Sequence, residues 1–338
     1  MSDIAERVGT SVAAVSVTLN GAKSATLRVG SDTRRRILEV AEEMSYRRNP
    51  MAGALATGRT HVLGLMLPSH DAYMAHDPFF SLVTTGITAC ASENGYNVML
   101  YSATAEDEGL RAASMVDKRV DGLVLVSPPS GTPILDECQR QGIPVVSIMA
   151  DADVGPLQVH SDDFLGGLLA MRHLISLGHR RIAHLKGGNG VATTEPRYQA
   201  YLAALREANM VPDPALCLVG DFKRTAGRDA TDRLLNLPSC PTAIFAANDL
   251  SAHGAIEAIR EAGLRVPEDV AVVGYDDTWY ATVTRPALTS VRMDVETLGR
   301  KAAELLIGFL RGGEMPREPR IVVPVSLTIR ESCGARAS

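Results

Sequence analysis

The run Asp3-Ile4-Ala5-Glu6-Arg7-Val8-Gly9-Thr10-Ser11-Val12-Ala13-Ala14-Val15-Ser16-Val17-Thr18-Leu19-Asn20-Gly21 carries two apolar stripes separated by a glycine. Ile4, Ala5 and Val8 lie at i, i+1 and i+4, which predicts the inner face of a short helix. Gly9-Thr10 interrupts that helix, and glycine tolerates the backbone of a tight turn. Ser11 is suited to cap a second helix running to about Leu19, with Val12, Val15 and Leu19 at helical spacing. Asn20-Gly21 closes it, because both residues accept a left-handed turn. After a polar loop, Gly30 or Ser31 opens a third helix, Asp32 to Met44, whose apolar face is Ile37, Val40, Ala41 and Met44. Two short helices about a glycine turn, followed by a packing helix, describe a helix-turn-helix domain or a plain three-helix bundle. Periodicity alone does not choose between them.

Charge is placed unevenly around this head. The 338-residue chain has a formal net charge of −5, yet residues 1–60 sum to +3 and the remainder to −8. A basic head on an acidic body suits a nucleic-acid-reading module joined to a different domain. A solvated helix face rich in arginine gives the same sums. With 46% hydrophobic and 22% charged residues, the composition is globular and excludes disorder for most of the chain. No uncharged apolar run reaches the ~18 residues of a membrane span. The N-terminus carries Asp3 and Glu6 and has no apolar segment of the kind a secretory leader needs, so no such leader is expected. Cys90, Cys138, Cys217, Cys240 and Cys333 are scattered and odd in number, which points to a reducing, cytoplasmic setting rather than a disulfide framework.

From His61 onward, apolar strand runs alternate with helical stretches. Strands are expected at Val62–Leu67, Asn97–Tyr101, Gly122–Val126 and Pro144–Ile148, and again at Arg181–Lys186, Leu216–Val219, Ala243–Ala246 and Val270–Gly274. Helices are expected at Phe79–Asn94, Glu106–Lys118, Thr132–Gln141, Asp163–Leu177, Pro196–Asn209 and Leu250–Ala262. Such alternation predicts two lobes, each a parallel sheet wound on both faces, with a ligand cleft between them at the strand ends. Leu288–Val291, a helix near Val295–Leu310 and the run Ile321–Ile329 would cross back to complete the lobes.

The string Asp3 to Ser11, with Ala14-Val15-Ser16-Val17-Thr18-Leu19-Asn20-Gly21, closely resembles the head of the LacI/GalR family of bacterial transcriptional regulators. Thr33-Arg34, Ile37, Tyr46, Asn49 and the stretch Ala52 to Gly58 continue the pattern, and the likeness runs through the body to about Arg330. The resemblance implies an N-terminal all-α helix-turn-helix head (1–48), a hinge helix (49–60), and an α/β body of two periplasmic-binding-protein-like lobes (61–330), with 331–338 as a tail. Lobe one would take about 61–160 plus 292–320, and lobe two about 161–291 plus 321–330. DNA contacts are implied for Ser11, Val12, Ala13, Ser16, Val17, Asn20 and Arg34 in the head. In the hinge, Asn49, Ala52 and Leu55 are implied, Leu55 as a wedge at a minor-groove base step.

Four departures from the family pattern stand out. Only Met1 and Ser2 precede the first helix, and the loop between Asn20 and Thr33 is longer than usual. Arg47-Arg48-Asn49 replaces Arg-Pro-Asn. Val17 stands where most members place an arginine that reads guanine, so apolar contact to a thymine methyl is expected instead.

For the effector, the resemblance implies a small molecule, a carbohydrate by class, held at the strand ends. Arg197 matches the family arginine that grips ligand, and its guanidinium fork suits hydroxyl or acid oxygens. Thr193, Asn248, Asp249 and Asp276 align with polar contact positions, Phe79, Phe80 and Phe222 with aromatic walls, and Trp279 with a stacking face. Met149 occupies a place where many members have a ligand-binding aspartate, which leaves either Asp151, two residues on, as its substitute or a pocket suited to a less polar molecule. Gly187-Gly188-Asn189-Gly190 lacks the spacing and partners of a phosphate loop and reads as a cleft loop. His179 and His184 are better explained as hydrogen-bonding histidines than as metal ligands. No cofactor, metal or catalytic constellation is expected. The sequence therefore reads as a cytoplasmic, homodimeric repressor of an inverted-repeat operator, controlled by a small-molecule effector. A solute-binding protein without DNA function is the alternative, and an α/β enzyme a third class.

Overall fold

The computed structural model describes residues 1–20, 28–47, 53–54, 57–68, 77–101, 118–312 and 319–335, with the side chain of Asn20 excepted. The chain divides into two compact units, Met1–His61 and Val62–Ser338. Three helices build the first: α1 (Ser2–Val8), α2 (Val12–Asn20) and α3 (Ser31–Glu43). Gly9 ends α1 at φ 70°, where a side chain would be strained. Two residues later the Ser11 hydroxyl accepts the Ala14 amide at 3.1 Å, which caps α2. Ile4, Ala5, Val15, Ile37 and Ala41 form the core, with Val8, Leu19, Val40 and Met44 packed against it. Val12 departs from the expected apolar stripe, being 49% exposed. In the hinge stretch, Gly53, Ala54 and Thr57 are helical, and the Thr57 hydroxyl donates to the Gly53 carbonyl at 2.9 Å. Gly21, Asn49, Ala52 and Leu55 lie outside the described residues.

The larger unit holds two six-stranded sheets. In chain order the first lobe contributes β1 (Val62–Met66), α4 (Pro78–Glu93), β2 (Asn97–Tyr101), β3 (Gly122–Val126), α5 (Pro133–Gln141), β4 (Val145–Ile148) and β5 (Leu157–Ser161). The second adds α6 (Asp163–Ser176), β6 (Ile182–Lys186), α7 (Thr194–Glu207), β7 (Cys217–Val219), α8 (Arg224–Leu235), β8 (Ala243–Ala246), α9 (Asp249–Glu261), β9 (Ala271–Asp276), α10 (Trp279–Val283) and β10 (Thr289–Met293). The chain then returns through α11 (Val295–Leu310) to β11 (Arg320–Val323) and crosses again to β12 (Val325–Thr328). Strand orders are β11-β5-β4-β3-β1-β2 and β12-β10-β9-β8-β6-β7. All pairings are parallel except β10 with β12.

Two differences from the sequence expectation have clear causes. The single run Ile321–Ile329 is two strands, because Pro324 has no N–H to continue a ladder. Residues 320–323 therefore complete the first sheet, not the second, while β12 adds an antiparallel edge. Strand β5 was masked by its polar Gln158, which is fully buried and donates to the carbonyls of Asp151, Val154 and Gly155 at 2.9–3.2 Å. The expected helix Glu106–Lys118 lies outside the described residues apart from Lys118, which is not helical.

Helices α4 and α11 pack through glycines. A Cβ at Gly86 would run into the Glu296 carbonyl, and one at Gly299 into the Val83 carbonyl. Gly86→Ala gains roughly 1 kcal/mol of helix propensity but forces the helices apart. We expect a net loss of about 1–3 kcal/mol, read as a lower urea midpoint; an unchanged midpoint would contradict this packing.

In the second lobe His184 is fully buried and stacked on Phe245 and Tyr201, with ring centroids 4.8 and 5.3 Å away. Its Nδ1 lies 2.9 Å from the Phe245 carbonyl and donates to it, while Nε2 has no hydrogen-bond partner. Burial depresses its pKa from 6.5 to about 4. The neutral ring is therefore the folded form. Its contribution is full above pH 6.5 and is lost as pH falls towards about 4. The loss approaches about 3 kcal/mol. His184→Asn, which keeps a donor near Phe245, should flatten the stability–pH curve across that window. An identical slope in both proteins would refute the assignment.

Candidate functional site

On the head, the start of α2 faces outward. Val12 and Ala13 are exposed, Ser16 and Val17 are half-buried, and Ala14, Val15 and Thr18 face the core. Capping by Ser11 uses a hydroxyl acceptor but leaves its O–H able to meet a phosphate. Arg34 and Arg36 on α3 are exposed, while Arg35 is drawn along its own helix towards Asp32 and Glu39 at 3.4 and 3.9 Å. A small apolar tip flanked by short hydroxyls and arginines can enter a major groove and clamp its backbone.

In the body, a cavity of about 660 Å³ opens where the strands of both sheets end. The first lobe lines it with Pro68, Asp77, Phe79, Phe80, Ser127, Pro129 and Met149. From the second come the loop after β6 (Asn189 to Thr193), Arg197 on α7, Asp221 to Thr225, Asn248, Leu250 and His253, Asp276 and Tyr280. Carboxyl ends of parallel strands gather loops at one edge, which is why ligands bind there. Of the non-glycine residues with positive φ, Ser127, Met149, Asp221, Phe222 and Asp276 all line this cavity. Such backbone costs stability and concentrates where function demands a particular side-chain direction.

Arg197 is 2% exposed and held on every side. Its Nε and Nη2 lie 2.8 and 2.7 Å from one Asp163 oxygen. Nη1 donates to the Ala247 carbonyl, and the guanidinium carbon sits 3.6 Å from the Tyr275 ring centre. Asp276 is 6% exposed, with Arg197 Nη1 3.9 Å away. Burial raises its pKa well above the ordinary carboxylate value, and the charges of Asp249, Asp77 and Asp163 push the same way while Arg197 opposes. Asn248 caps α9, accepting the Ser251 amide at 2.9 Å, and its Nδ2 donates to the Phe222 carbonyl at 3.0 Å. Phe79 and Phe80 meet edge to face at 5.1 Å.

Seven of the residues expected at the effector site thus meet in one cavity: Phe79, Phe80, Thr193, Arg197, Phe222, Asn248 and Asp276. Two do not. Asp249 lies behind the wall, accepting from the Ser290 hydroxyl at 2.6 Å and from the Thr278 amide and hydroxyl at 2.7 and 3.0 Å. There it anchors the loop after β9, and burial raises its pKa to about 7. Trp279 is 56% exposed and stacks on Tyr280 at 4.1 Å, so Tyr280 supplies the ring that faces the cavity. Asp151 does not replace the missing aspartate either, since it accepts the Ser130 hydroxyl at 2.7 Å away from the cavity lining.

Asp77 and His253 were missed. Asp77 caps α4, accepting the Phe79 amide at 2.9 Å, and burial raises its pKa to about 6. The signal was present, because Asp followed by Pro78 is a helix start. His253 sits inside an ordinary helical pattern, which gives no such cue. Among the described residues, no group of three or more His, Cys, Asp or Glu is placed to hold a metal ion, and no helix is long and apolar enough to cross a membrane.

Comparison with known proteins agrees with this geometry. Residues 1–49 match the family described as bacterial regulatory proteins, lacI family, and residues 171–333 a periplasmic binding protein-like domain. The HTH-type transcriptional regulator CelR of Thermobifida fusca is 33% identical over 97% of this chain and 96% of its own length. A solved structure of a CelR–cellobiose complex is similar over 97% of this chain and 98% of that one, with 32% identity and a TM-score of 0.76. The lac repressor dimer bound to operator and the anti-inducer ONPF covers 98% of both chains at 27% identity, with a TM-score of 0.86. With a helix-turn-helix head, a two-lobed cleft and a full-length relative above 30% identity, this chain belongs to the LacI family of bacterial transcriptional regulators.

Proposed function

We propose that the chain is a homodimeric, cytoplasmic repressor whose operator affinity is set by a small molecule, a carbohydrate or its derivative, bound between the lobes. One observation carries this reading. The cavity takes Phe79, Phe80 and Met149 from one lobe, and Arg197, Phe222 and Asp276 from the other. A ligand touching both sets makes its full contacts only when the lobes close, and it shifts that equilibrium by its differential affinity for the two forms. Coupling of ~1–3 kcal/mol is typical of such systems. A head of the lacI family makes the free-standing solute-binding reading untenable. We take the chain to be a non-enzyme. Two-fold pairing of the heads follows from reading an inverted repeat.

On this reading Ser11, Val12, Ala13, Ser16, Val17, Asn20 and Arg34 contact DNA from the head, and the seven cavity residues contact the effector. A selection from random duplexes should enrich a short palindrome, with affinity falling steeply as salt rises. Val17→Arg should move one half-site position towards guanine, by ~1–3 kcal/mol. An unchanged motif would remove Val17 from the groove.

The switch is tested at Arg197. Truncation to Ala would leave the buried Asp163 carboxylate unpaired, a cost of about 3–5 kcal/mol that confuses folding with signalling. Arg197→Lys keeps the charge but not the fork. After a thermal-shift screen of sugars, nucleosides and sugar phosphates, the ratio of operator affinities with and without the hit should fall towards one in the variant. A variant that responds at the parent's ligand concentration would take Arg197 out of the switch.

A further inference from the structure

Helix α2 of the head, Val-Ala-Ala-Val-Ser-Val-Thr-Leu-Asn from Val12 to Asn20, carries no charged residue. Val12, 49% exposed, and Ala13 face outward at its start. One turn further on, Ser16 follows Val12 and Val17 follows Ala13 on the same faces, both half-buried. Ala14, Val15 and Thr18 are buried and turned towards the other helices. The side chains that grip a purine edge through two hydrogen bonds are those of arginine, lysine, asparagine and glutamine. Of these α2 holds only Asn20, at its last position, whereas the first residues of a reading helix are the ones that meet base edges. Ser11 and Ser16 offer hydroxyls, which serve several bases and phosphate alike. Sequence information from this helix therefore has to come from contacts that need no hydrogen bond.

We propose that the head reads its half-site chiefly through the methyl groups of thymine, with Val12, Ala13 and Val17 forming one apolar tip against thymines in the major groove. The inference rests on α2 being the reading helix of an operator-binding head, and it extends the expectation for Val17 to the whole exposed start of the helix. Thymine is the base that presents an apolar group in the major groove, and apolar side chains such as alanine meet it. Water leaves both surfaces on contact, and burying one methyl is worth about fourfold in affinity. A G·C pair at the same place offers only polar atoms, and a valine laid over them strips their water without giving a partner. The same three side chains thus favour thymine and disfavour a G·C pair. Arg34 and Arg36, exposed on α3, add phosphate attraction that carries no sequence preference. The sequence-dependent and salt-dependent parts of the affinity accordingly fall on different residues.

The test uses the full chain and the palindrome enriched from random duplexes. Each thymine of a half-site is replaced in turn by uracil, which keeps the pairing and the O4 acceptor and removes only the methyl. Binding is followed by fluorescence anisotropy at fixed salt. At two or more positions uracil should weaken binding about fourfold, and full replacement should weaken it about tenfold or more. The slope of log affinity against log salt should stay the same, because no phosphate contact changes. Where cytosine replaces a sensitive thymine, 5-methylcytosine should recover part of the loss, which separates a methyl contact from a change in duplex stiffness. Val12→Ala trims an exposed side chain outside the head core. It should bring the thymine-to-uracil affinity ratio at one position towards one and leave the others. Should that variant fold poorly, the base replacements with the parent protein decide alone. The proposal is overturned if uracil duplexes bind within twofold of thymine duplexes at every position, or if methylcytosine recovers nothing. It is equally overturned if a folded Val12→Ala protein keeps every ratio, or if the enriched half-site contains no thymine. In each of these cases a palindrome is still bound and the regulator reading stands. If no palindrome is enriched, the regulator reading falls and this proposal falls with it.

Discussion

Arg197 carries a full charge at 2% exposure, and the second lobe is arranged around keeping it there. Its guanidinium gathers the first residue of α6 (Asp163), the carbonyl that ends β8 (Ala247) and the ring of Tyr275 in β9. An isolated cation in such a place would be ruinous, and a partner that satisfies only part of it is little better. Asp163 supplies the countercharge, the carbonyl takes a further N–H, and the ring face covers the plane. Because Asp163 follows β5 directly, the pair also fastens the segment by which the chain leaves the first sheet. Two strand ends and one crossing segment are thereby fixed about one side chain.

Around the cleft the local rules of stable folding are broken together. Met149, Asp221, Phe222 and Asp276 adopt positive φ, and carboxylates are buried with few donors. Positive φ also occurs elsewhere, at Ser45, His61, Lys118, Asn209 and Asp277, while the buried Gln158 is well served, donating to three carbonyls. Five of the ten described non-glycine residues with positive φ nevertheless line the cavity that both lobes share. This is the distribution expected when stability is given up locally to aim side chains at a ligand.

The head works by the opposite economy. Its core is small, built on Ile4, Ala5, Val15, Ile37 and Ala41, and its reading helix leaves Val12 and Ala13 to solvent. Exposed valine at a helix start is a poor choice for solubility but a good one for an apolar contact in a groove. On the proposed reading, specificity there comes from a few side chains on a helix held by its cap and by two packing helices. Phosphate-directed arginines supply affinity without sequence information.

Local periodicity and turn chemistry were enough to read the three head helices, most strands and the alternation that makes two parallel-sheet lobes. Those features depend on residues within a turn or a strand of each other, and their signal is therefore contiguous. Strand β5 escaped because a buried glutamine imitates an exposed position, and the run 321–329 because one proline sends its halves to different sheets. At the cleft, aligned polarity did not distinguish Asp249, turned inward to Ser290 and Thr278, from Asp276, which faces the cavity. Trp279 and Tyr280 differ only in which ring a five-residue helix turns inward. The sequence by itself determined the elements and their order. Only the tertiary structure decided which charges are paired, because Arg197 and Asp163 meet through contacts between residues far apart in the chain.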